Sequence, residues 1–173
     1  MQDADLLLQL AGSAGVFVGF GALISVRSGG ASEPGEVSPM RIVVAMGVIT
    51  IIGALAPVTL GRYDLTDHQV LALSSVLVLV SILGISFIHV RSAEYREYAV
   101  ASRSERLRAV DVIGIAAWVL LIGAMVVAPI VIVLGVAPEL EAALYFTVLV
   151  LILLLAVWSL MSLVFTHRSP ASA

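Results

Sequence analysis

Three histidines (His68, His89 and His167) and twelve carboxylates are the only side chains here suited to proton chemistry near neutrality, because cysteine is absent and all nine basic residues are arginine. Without cysteine there is no thiolate nucleophile, disulfide or thiolate-held metal. Without lysine there is no Schiff base. His89 and His167 each stand at the end of an apolar run. Facing one another they would make a metal or haem pair, but the plainer reading is two interfacial residues held by phosphate or water. Asp111, three residues after Arg108, lies just inside the near end of an apolar run and is the charge nearest to being embedded in one. It reads as an interfacial anchor, favoured at a helix N-terminus. No charge falls deep inside a run, where ion-coupled carriers and proton pumps usually keep one. The serine of Gly12-Ser13-Ala14-Gly15 does not match the Gly-x-Ser-Gly pattern of intramembrane serine proteases, and no histidine lies at its depth to take its proton. The expectation is a protein that is not an enzyme and needs no cofactor or metal.

Uncharged polar residues are the better candidates for a path. Ser74 and Ser81 lie seven residues apart on one helical face, where hydroxyls either line a wet passage or bond within the helix. Pro57 and Pro129 each remove a backbone hydrogen bond, to Gly53 and Met125, and are candidate hinges. Asp64, Asp67, Glu139 and Glu141 lie between apolar runs and could concentrate cations at a mouth.

Composition dictates what positions these residues. Hydrophobic residues are 61% of the chain and charged residues 12%, against roughly 45–50% and about 25% in an ordinary soluble domain. A water-soluble core cannot bury that much. Apolar runs over 6–26, 42–61, 70–90, 109–136 and 143–166 each reach the ~20 residues a helix needs to cross a bilayer, the fourth being long enough to be tilted. The fold class expected is all-α, a single polytopic membrane domain of five transmembrane helices. The loops are 27–41, rich in Gly and Pro, and 91–108, with five arginines and Tyr95 and Tyr98 suited to headgroups and anionic lipid. Residues 1–5 hold Asp3 and Asp5 and no basic residue, unlike a signal peptide.

With five spans, Arg27, Arg41, Arg91, Arg96, Arg103, Arg106, Arg108 and Arg168 fall on one side and Arg62 alone on the other. Basic residues in short loops stay cytoplasmic, so the N-terminus is expected outside and the C-terminus inside the cytoplasmic membrane. Spans 2 and 4 share Ile-Gly-Ala, Ala-Pro and Leu-Gly (Ile52 to Gly61, Ile122 to Gly135), which points to a 1 + 2 + 2 plan with parallel hairpins. In span 1, Gly12, Gly15, Gly19 and Ala22 leave one face almost without side chains, expected to pack closely inside the protomer or against another copy. Trp118 and Trp158 are expected to pack, and Tyr63 and Tyr145 to sit in the outer aromatic belt.

These features favour an oligomeric channel or transport subunit with an acidic, cation-selective outer mouth. The alternative is a non-conducting accessory or scaffold protein that binds a partner membrane protein or lipid. The arginine-rich loop is explained by topology, so nucleic acid is not an expected partner.

Overall fold

A computed structural model describes residues 4–27, 34–91 and 109–166. Among them every element is helical: α1 (Ala4–Arg27), α2 (Pro34–Leu60), α3 (Asp67–Arg91), α4 (Ala109–Val133), a 3-10 turn at Pro138–Leu140, and α5 (Glu141–Thr166). Long apolar segments take this form because a helix satisfies its own backbone groups where no water can. Segments long and apolar enough to cross a membrane are Ala4–Leu23, Val43–Leu60, Asp67–Ile88 and Pro138–Met161, with a shorter apolar stretch at Val119–Val133 in α4. The chain is a multi-pass helical membrane protein.

Several boundaries differ from expectation. Helix α2 begins at Pro34, inside the stretch 27–41 expected to be a loop. Proline at the first helical position has a preset φ, and its missing N–H would have had no partner there anyway. Helix α4 stops at Val133 rather than 136, and α5 starts at Glu141 rather than 143. The expected lipid-binding loop 91–108 lies, beyond Arg91, outside the described residues.

Helices α2, α3, α4 and α5 form a ring in which each packs on the next and α5 closes on α2; α1 lies along α2 and touches α5. The ring interior is filled by aliphatic side chains, among them Val78, Ile82, Ile132, Leu149 and Ile152. Leu120, Ile88, Leu154 and Trp158 point away from the ring. Trp158 is exposed rather than packed as expected, because it falls off the stripe that α5 buries, and the side chain of Trp118 lies outside the described residues.

Glycine does shape the packing, but at other positions than expected. Gly12, Gly15 and Gly19 have nothing within 4 Å of where a Cβ would stand, and with Ala22 they are exposed. Close packing of this face within the protomer is not what the chain adopts. Helix α1 instead buries Leu7, Ala14 and Gly21, a repeat of seven that keeps one face on α2. Gly47 on α2 is where Val18 of α1 presses in. Gly53 is the tightest junction of the ring: a Cβ there would stand 2.7 Å from Leu149 Cδ2 and 2.9 Å from Val78 Cγ2. Gly53→Ala should lower stability by about 1–3 kcal/mol through overpacking, read as a lower thermal midpoint in detergent. Gly12→Ala, which meets open space, is the control expected to leave the midpoint in place.

Candidate functional site

The two hairpin turns are built by different local rules and meet at one end of the ring. Helix α3 opens with a reciprocal cap in which the Gln69 amide N–H bonds Thr66 Oγ1 (3.3 Å) and the Thr66 N–H bonds Gln69 Oε1 (3.0 Å). This fixes His68 in the first turn. Helix α4 ends with Gly135 at φ 63, the Gly135 N–H bonding the Ile132 carbonyl (3.0 Å) and the Val136 N–H reaching the Val131 carbonyl (3.3 Å). Such an ending favours glycine, since side chains rarely adopt that φ. A Cβ there would also press on the imidazole, standing 3.3 Å from His68 Cε1.

His68 Nδ1 lies 2.9 and 3.0 Å from the two carboxylate oxygens of Glu141, the first residue of α5. The Glu141 side chain is 4% exposed and that of His68 47%. A carboxylate withdrawn from water is costly unless bonded. Here one imidazole and the positive end of α5 do the bonding.

One turn below Glu141, Tyr145 donates its hydroxyl to the Gly53 carbonyl at 2.6 Å. That carbonyl is the one Pro57 leaves without its helical N–H partner. Ser74 lies beside the phenol and bonds back to the Val70 carbonyl at 2.8 Å. Thr50, also fully buried, bonds the Met46 carbonyl at 2.9 Å. Ser75 is buried with its hydroxyl unpartnered. Polar groups thus run from half-exposed His68 through Glu141 into the bundle and stop at Leu149, Ile152 and Ile132.

The expected site residues fall as follows. Of the acids expected at an outer mouth, Asp64, Asp67 and Glu139 are exposed, whereas Glu141, at the first turn of α5, is buried. Tyr145 is 3% exposed, not in an outer belt. Pro57 and Pro129 are both fully buried, and Tyr145 braces the turn that Pro57 opens. Ser81, partly exposed, bonds back to the Leu77 carbonyl at 2.8 Å. His89 and Asp111 stand on α3 and α4, but their side chains lie outside the described residues, as does the whole of His167.

His68, Glu141 and Tyr145 as a group were missed from the sequence. Glu141, Tyr145, Val148 and Ile152 share one helical stripe. A free carbonyl above Pro57 also calls for a donor. Among the described residues no group of three or more His, Cys, Asp or Glu could hold a metal ion. What the arrangement brings together is a buried carboxylate and a half-exposed imidazole.

Tyr145→Phe keeps the ring and removes the donor. The buried Gly53 carbonyl is then left unsatisfied, at a cost of about 1–3 kcal/mol, and the thermal midpoint should fall; an unchanged midpoint would show that the bond contributes nothing. No family model matches the chain, and it has no match among the curated proteins or the solved structures.

Proposed function

We propose that this protein is a five-span subunit of an oligomeric channel or transport assembly in the cytoplasmic membrane, N-terminus outside and C-terminus inside, built as one helix plus two parallel hairpins. A single observation carries the reading. Helix α1 uses Leu7, Ala14 and Gly21 to pack on α2 while Gly12, Gly15, Gly19 and Ala22 face outward with open space at all three glycines. Lipid alone does not require a bare backbone, whereas a helix of a second protomer packs closely against one.

The sidedness rests on the arginines, of which only Arg62 falls with the hairpin turns. Asp64, Asp67 and Glu139, exposed at that end, would gather cations. Because Ile132, Leu149 and Ile152 fill the ring, a conducting path belongs between protomers rather than through one. The same filled interior favours the second reading, a non-conducting scaffold that binds a partner membrane protein or lipid.

Gly15→Leu or Gly19→Leu should reduce the oligomer mass in native membrane mimetics to that of the protomer without lowering the protomer's thermal midpoint. A wild type that stays monomeric at high concentration would reject the assembly. In a planar bilayer the channel reading expects cation current exceeding chloride current. Equal or greater chloride permeability rejects the acidic mouth, and absence of current leaves the scaffold. Protease or tag accessibility should place the two chain ends on opposite sides of the membrane; both ends on one side would remove a span.

A further inference from the structure

We propose that His68 and Glu141 form a proton-binding latch that joins the two hairpins at their turns. The partners are 73 residues apart in sequence, one in the first turn of α3 and the other opening α5. Both carboxylate oxygens converge on one nitrogen, Nδ1, at 2.9 and 3.0 Å. A carboxylate only accepts, so Nδ1 carries the proton in this contact and Nε2 is the nitrogen left to exchange with solvent. The ring is half-exposed and lies against Gly135, the turn of the other hairpin.

The ligand is a proton because nothing else at this end is arranged to bind. The remaining titratable groups described at this end are Asp5 in the first turn of α1, Arg62, Tyr63 and Asp64 on the first connector, Asp67 on α3, Glu139 on the 3-10 turn and Tyr145 on α5. Tyr145 is committed to Gly53. Among the described residues the one salt bridge at this end is that of His68 with Glu141. Among the described residues no third ligand completes a metal site.

A proton arriving from solvent at Nε2 converts imidazole to imidazolium. It cancels the charge of the buried carboxylate and leaves the Nδ1 contact intact. A further proton, on the carboxyl, discharges the acceptor and weakens the contact. The clasp between hairpins is therefore tightest with imidazolium over carboxylate and looser on either side. Glu141 and Tyr145 are one turn apart on α5, so a shift of that first turn bears directly on the bond bracing Gly53.

The test is nitrogen-15 histidine NMR of the full chain in detergent micelles, with His68 assigned by its loss in His68→Gln and with His89 and His167 as internal controls. In the wild type, the neutral His68 ring should be protonated on Nδ1. In Glu141→Leu, which fills the site without an acceptor, that preference should be lost while the other two histidines are unchanged. A wild-type neutral ring protonated on Nε2 overturns the latch, and this needs no variant to fold. A second reading is the thermal midpoint followed as a function of pH. Its pH dependence should flatten in His68→Gln, which keeps a donor but cannot titrate; a profile the variant leaves intact overturns the proposal. Both readouts are made on the protomer, so neither depends on assembly or conduction.

Discussion

The hydrogen bond from the Tyr145 hydroxyl to the Gly53 carbonyl is the contact on which the packing of this bundle turns. In hydrocarbon no water can satisfy a backbone group, and Pro57 removes the N–H that would have served that carbonyl. The chain meets the need from another helix, 92 residues away. The donor can come so close because Gly53 has no side chain, and Leu149 and Val78 close in around the same point. One proline thus creates a need that brings α2 and α5 together, and one glycine provides the room. The turn that Pro57 opens is thereby braced from α5.

The polar end of the ring follows from this arrangement. Tyr145 must face the interior, and on a helix the residue four before it lies on the same face. Glu141 is therefore carried inward with it. A carboxylate there needs a donor, and the reciprocal cap at Thr66 and Gln69 sets His68 where it can supply one. Gly135, in a conformation suited to glycine, ends α4 early enough to leave room for the ring. Two unrelated ways of ending and starting helices converge on one pair of side chains.

The outer surface of α1 presents a different kind of problem. Its packed face is set by Leu7, Ala14 and Gly21, and the bare face formed by Gly12, Gly15 and Gly19 is left over. In water such a choice would be governed by hiding apolar surface. In a membrane both faces are equally apolar, and van der Waals fit decides. Val18 fitting at Gly47 is the kind of detail that settles it.

Helical class and the approximate limits of the apolar segments were legible in the sequence, because the solvent they require is written in composition and run length. The carbonyl freed at Gly53 was legible too, since a proline removes its hydrogen bond wherever it stands in a helix. Which side chain answers that carbonyl, which glycine lies in a contact, and which acid is buried were not. Helices apolar all round show no amphipathic stripe from which to read an inward face, so Glu141 looked like one more loop acid and Tyr145 like a belt residue. Only the tertiary arrangement, which brings the start of α3 against the start of α5, decided that they and His68 belong together.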